Sequence, residues 1–91
     1  MTLKELAYIV AVAEELHFHR AAERCHVTQS TLSNQLKKCE DYLGVTIFRR
    51  NRHQVEVTPE GEKIVALAQQ ALAATDAIRR YSRQQALLDT L

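Results

Sequence analysis

Apolar residues recur at helical spacing from the third residue onward. Leu3, Leu6, Ala7, Ile9, Val10, Val12, Ala13 and Leu16 fall largely three and four apart, behind Thr2 as N-cap. This predicts a helix over 3–16 whose apolar face is wide enough to need more than one neighbour. A short second helix over 18–25 follows, with Phe18, Ala21 or Ala22, and Cys25 on one side. Its adjacent alanines let another helix approach closely. His26-Val27 is a tight turn, and Thr28 caps a third helix that runs to Leu43. The inner stripe of that helix is Leu32, Leu36, Cys39 and Leu43, and Gly44 supplies the C′ residue, where positive φ costs little.

The period then changes. Thr46-Ile47-Phe48 and Val55-Glu56-Val57 are short β-branched or aromatic runs, separated by the polar, basic stretch 49–54. They predict a small hairpin with a loop longer than a two-residue turn. Thr58 and Pro59 open the last element as N-cap and first helical residue, with Glu60 and Glu62 at the positive end of the dipole. Gly61 stands where a capping box would carry Glu. Nothing breaks a helix from Lys63 to about Leu88. Roughly 30 residues at ~1.5 Å each span about 45 Å, longer than a domain of this size is wide. Ile64, Ala68, Ala71, Thr75 and Ile78 alternate four and three apart, while Val65, Leu67, Leu72 and Ala74 are apolar on other faces. A helix apolar on two sides has two things to pack against: its own domain and a second copy of itself. The candidate dimer residues are therefore Ile64, Leu67, Ala68, Ala71, Leu72, Thr75 and Ile78. The expected class is mainly α: a three-helix body with a small β-hairpin over 1–58, and a long helix over 59–91.

Composition narrows this little. The chain has 91 residues, 46% apolar and 25% charged, and only two Gly and one Pro, which excludes collagen-like, low-complexity and turn-rich all-β chains. A body this small buries only about 60–65% of its unfolded surface, so a partner would help it. No apolar run nears the ~20 residues of a membrane span, and no signal-peptide pattern opens the chain. A cytoplasmic setting is the default.

Charge changes the picture more. The formal net charge is +1, which does not announce a nucleic-acid binder. Its distribution says more than the sum. Residues 1–16 sum to −2, residues 17–58 to +3 with all four histidines, and residues 59–91 to zero. The basic segment is the short helix, turn, helix and hairpin. A helix-turn-helix puts its second helix into the major groove, with N-terminal residues at base edges. Thr28, Gln29, Ser30, Thr31, Ser33, Asn34 and Lys37 cluster on that helix, and Gln29, Ser33 and Lys37 share a face at four-residue steps. Gln and Asn can bond adenine bidentately, and Ser and Thr can bond several bases. Arg49, Arg50, Arg52 and His53 in the hairpin suit phosphate or the narrow minor groove, and Arg20 joins them from the short helix. Polar residues at a helix start are usually caps, and an arginine run is often a solvated loop; their co-occurrence in this order favours duplex DNA as partner. The rival reading is a helical protein-interaction module without DNA binding. An RNA binder is disfavoured, because none of the five aromatics lies in the basic loop to stack a base.

Other chemistry is scarce. Cys25 and Cys39 fall on inner stripes and read as small buried hydrophobes. His17, His19, His26 and His53 lack metal-site spacing, so no metal and no cofactor is expected. His19 and His53 beside phosphate would make affinity rise below about pH 6.5. No paired carboxylates, nucleophile–base pattern or Gly-rich phosphate loop points to an enzyme.

The ordered set Phe18-His19-Arg20-Ala21-Ala22, Val27 through Leu36, Glu40, Leu43-Gly44-Val45, Ile47-Phe48-Arg49-Arg50 and Val57-Thr58-Pro59-Glu60-Gly61 resembles the N-terminal DNA-binding domain of LysR-type transcriptional regulators. His17-Phe18, Cys25-His26-Val27 and Lys37-Lys38 are most similar to the OxyR-type, peroxide-responsive branch. The resemblance implies a winged helix-turn-helix and a long linker helix that dimerises antiparallel. It implies Gln29, Ser30, Ser33 and Asn34 at the major groove, and wing arginines at the minor groove. It also implies a larger effector-sensing domain beyond this chain, with higher oligomers formed only in its presence. In two places the chain departs from the family pattern: Ser30 stands where Pro is common, and Cys39 where Leu is usual.

Overall fold

The computed structural model describes residues 1–51 and 54–91. Its elements in chain order are α1 Leu3–Glu15, α2 Phe18–Arg24, α3 Gln29–Leu43, β1 Phe48–Arg50, β2 Val55–Val57 and α4 Pro59–Asp89. Each helix start has a side-chain cap. Thr2, Thr28 and Thr58 accept the backbone N–H of Glu5, Thr31 and Gly61 through their hydroxyls, and His17 Nδ1 accepts that of Arg20 at 3.1 Å.

The reversals between helices use left-handed backbone. Leu16 ends α1 at φ 50°, His26 ends α2 at 57° and Gly44 ends α3 at 70°. Between α2 and α3 the Val27 N–H reaches the Ala22 carbonyl and the His26 N–H reaches that of Glu23. That pair of bonds is a Schellman motif, with His26 in the place glycine usually takes. The sharp turn brings α2 against α3, and Ala21 and Ala22 of α2 are both buried. Ile9 and Val12 of α1, Leu32, Leu36 and Cys39 of α3, and Ile47 complete a core from which solvent is excluded.

The hairpin differs from the sequence reading in its first strand, which begins at Phe48 rather than Thr46. Backbone groups of 46–48 are taken up instead by Glu40 and Thr58. Glu40 Oε2 accepts the N–H of Ile47 at 2.7 Å and of Phe48 at 3.3 Å. Thr58 donates its hydroxyl to the Thr46 carbonyl and its N–H to that of Ile47. Strand pairing is antiparallel, with Phe48 opposite Val57, Arg49 opposite Glu56 and Arg50 opposite Val55. The missing capping box also has a cause. A Cβ on Gly61 would fall on the carbonyl oxygen of Ile47, so no larger residue fits there.

From Pro59 the 31 residues of α4 run first along α1 and then away from the body, giving a molecule 57 × 24 × 19 Å. Ala68 is inside the core, and Ile64, Val65 and Leu72 pack against it. No helix among the described residues is long and apolar enough to cross a membrane.

Candidate nucleic-acid interface

The outer face of α3 is the first half of the site. Thr28 and Thr31 are engaged with one another, Thr28 donating its hydroxyl to Thr31 Oγ1 at 2.9 Å while capping the helix. Gln29, Ser30 and Asn34 are exposed and Ser33 is half-buried. Their side chains make no hydrogen bond with any described residue. Four polar side chains on one and a half turns therefore remain free to bond an external partner. The free N–H groups of the α3 N-terminus lie beside them.

The hairpin supplies the other half. Its tip closes when Asn51 Oδ1 accepts the Gln54 N–H at 2.8 Å. Strand alternation then separates two arginines that the sequence reading grouped in one loop. Arg49 lies opposite Glu56 across the ladder. Arg50 shares the face of buried Phe48 and turns back over α2, where its guanidinium carbon sits 4.0 Å from the centre of the Phe18 ring. Phe18 in turn stands edge-on to Phe48, ring centres 6.5 Å apart. An open cleft of about 640 Å³ separates α3 from the hairpin, with Ser33, Asn34 and Lys37 on one wall and Thr46, Phe48 and Arg50 on the other. A second, of about 350 Å³ and also lined by Arg50, lies between His17, His19, Gln29 and Gln54.

Other assigned residues are already engaged. Arg20 donates to the Glu15 carbonyl at 3.2 Å, at the C-terminus of α1. Lys37 pairs with Asp41 at 3.3 Å, both well exposed. His19 meets Glu23 at 2.9 Å. Arg52 and His53 lie outside the described residues. Cys39 is buried, and burial pushes its thiol up, helped by the Glu5 carboxylate. Cys25 is half-buried and pushed up by burial, against a smaller opposing pull from Arg24. Neither is an activated thiolate. Arg24 is held above its ordinary value chiefly by its bond to Glu14, at 2.6 Å. Two roles escaped sequence reasoning: Glu40 as the clamp of the strand start, and Phe18 as the platform under Arg50. A strand placed over 48–50 would have put Arg50 on the face of Phe48, and period two was the available signal.

The helix residues assigned to a dimer divide between two faces. Ala68 is enclosed by its own protomer, and Ile64 and Leu72 lean on it. Leu67 and Ile78 are exposed, while Ala71 and Thr75 are half-buried. The outward stripe is Leu67, Ala71, Ala74, Ile78 and Tyr81, again alternating four and three.

Three helices with a tight turn before the outward-facing one, followed by a basic hairpin, make a winged helix-turn-helix. Residues 3–62 match the model of the bacterial regulatory helix-turn-helix proteins of the lysR family, and the chain belongs to that family. It is 41% identical over 85 residues to the hydrogen peroxide-inducible genes activator of Pectobacterium carotovorum, covering 93% of this chain and 28% of that protein. The fold is similar to a full-length OxyR from Pseudomonas aeruginosa carrying a Cys-to-Asp substitution (TM-score 0.88, 56% identity, 92% of this chain and 28% of that one). It is also similar to the BenM DNA-binding domain complexed with benA site 1 DNA (TM-score 0.89, 34% identity, 94% of this chain and 97% of that one). The chain thus spans about a quarter of the length of the curated relatives it matches.

Proposed function

We propose that this chain binds duplex DNA sequence-specifically, as the DNA-binding part of a transcription regulator that works as a dimer in the cytoplasm. The observation that carries the reading is the set of four unengaged polar side chains on α3 beside an arginine-bearing hairpin, with Ser33 and Asn34 facing that hairpin across one cleft. α3 enters the major groove, where Gln29, Ser30, Ser33 and Asn34 meet base edges. The hairpin reaches the adjacent minor groove. Body and helix divide the labour near Thr58. The dimer forms on the outward stripe of α4, continued by an apolar groove of about 290 Å³ that Leu6, Leu43 and Leu67 help to line. Two copies would place their α3 helices about 34 Å apart, or a multiple of that. The similarity to peroxide-inducible activators makes a peroxide-responsive regulator the particular reading.

Selection of bound duplexes from a random pool, followed by salt titration of the best sequence, tests this. The expected outcome is a two-fold-related pair of half-sites, with affinity falling steeply as salt rises. The peroxide reading adds that such sites precede genes induced by hydrogen peroxide. Absence of any duplex binding, with dimerisation intact, would leave a helical interaction module instead.

A further inference from the structure

We propose that Phe18 is a positioning residue that holds Arg50 as a phosphate anchor in the cleft between α3 and the hairpin. The inference rests on the DNA-binding reading above. If α3 lies in the major groove and the hairpin in the neighbouring minor groove, only a sugar–phosphate strand can run between them. The cleft of about 640 Å³ is the space it would take. Two cations among the described residues line it, and they differ. Lys37 is paired with Asp41 at 3.3 Å. Arg50 has no hydrogen bond or ion pair with any described residue, and one face of its guanidinium is covered by the Phe18 ring at 4.0 Å. A stacked guanidinium keeps its edge donors available, and those donors match a phosphate bidentately. Stacking also removes rotamers before binding, so less freedom is lost on contact. Phe18 is itself fixed, being 8% exposed and edge-on to Phe48. It serves as a positioning residue and need not touch DNA.

The test is a double-mutant cycle on the whole chain with a selected duplex, read as affinity across a salt series. Arg50→Ala should weaken binding about tenfold or more, with a salt slope shallower by about 0.9. Phe18→Leu should weaken it about two- to fivefold, and Phe18→Tyr, which keeps the ring, should bind like the wild type. On the Arg50→Ala background, Phe18→Leu should cost nothing further. A Phe18→Leu effect that persists in full on that background overturns the positioning role, as does wild-type binding by Phe18→Leu. An unchanged slope in Arg50→Ala overturns the phosphate anchor. Should Phe18→Leu melt below the assay temperature, Arg50→Lys replaces it. Lysine keeps the charge without the stacked fork, so wild-type binding by Arg50→Lys also overturns the proposal. Failure of the wild-type chain to bind any duplex defeats the DNA reading itself and is thereby distinct from these outcomes.

Discussion

Up to Thr75, each helix keeps residues buried or half-buried against a neighbour; from Asp76 to Leu91 every residue is exposed. The first region closes on itself around Ile9, Leu32, Leu36 and Ile47. The second is the same helix continued into solvent, with Ile78 69%, Tyr81 64% and Leu87 68% exposed. A helical stretch of about 15 residues with no packing is marginal in water. Two kinds of stability therefore share one chain. Below the concentration at which the dimer forms, the body should melt at a midpoint that further dilution does not change, whereas order in the outer half of α4 should follow association.

The sharpest blow to the body is Leu32→Ala. Leu32 is fully enclosed, and such truncations cost about 2–5 kcal/mol, a large part of the total at about 0.05–0.15 kcal/mol per residue. Denaturant melts should show the loss equally at low and high protein concentration. A loss that vanished on dilution would erase the distinction between the regions.

Ile78→Asp acts on the other side. It should leave the body's midpoint at low concentration unchanged, while sedimentation shows a shift from dimer towards monomer. A charge on that stripe removes apolar contact and must be desolvated if a second copy is to cover it. If the assembly survives unchanged, the outward stripe is not the dimer face.

How much of this was legible in sequence depended on whether local signals decided the outcome. The helices follow from threonine caps, the stripe Leu32, Leu36, Cys39 and the C′ glycine at 44, all local features. The polar face of α3 was legible for the same reason. The register of β1 was not, because two distant side chains set it: Glu40 on α3 and Thr58 before α4 take the backbone groups of 46–48. Once those are occupied, the ladder starts at Phe48 and Arg50 turns inward onto Phe18. Likewise, Ala68 and Leu67 are equally apolar neighbours in sequence, and only the angle at which α4 meets α1 sorts one inward and the other outward.

Glu40→Gln probes that long-range device. An amide accepts more weakly than a carboxylate, so losing the charge-assisted bonds to Ile47 and Phe48 should cost about 1–2 kcal/mol. The cost belongs to the body and should be independent of concentration. The effect on hairpin placement should also appear as weaker duplex binding. Stability unaltered by Glu40→Gln would mean that strand pairing alone holds the hairpin.

The cysteines give a smaller, pH-dependent signature. Burial raises both thiols, so their contribution to stability is complete below the ordinary thiol value and fades as pH climbs past it. Native labelling should be slow at neutral pH and accelerate only in alkaline solution, half-buried Cys25 ahead of buried Cys39. Rapid neutral labelling of Cys39 would show that the body opens far more readily than its packing implies.

The smallest expected change is His26→Gly. His26 holds φ 57° at the C′ position of α2, a conformation that costs a residue with a side chain about 1–2 kcal/mol. Glycine removes that strain but makes the unfolded chain more flexible, returning about 0.4–1 kcal/mol of the gain. The two Schellman bonds from Val27 and His26 use backbone atoms and survive the change. The net result should be a stabilisation of a few tenths to about 1 kcal/mol by that difference. Because the turn lies wholly within the body, the rise in melting midpoint should be the same at every protein concentration and in an Ile78→Asp background. A gain that appeared only in the dimer would mean the turn between α2 and α3 is ordered by association, and the boundary between the two kinds of stability would have to move into the body itself.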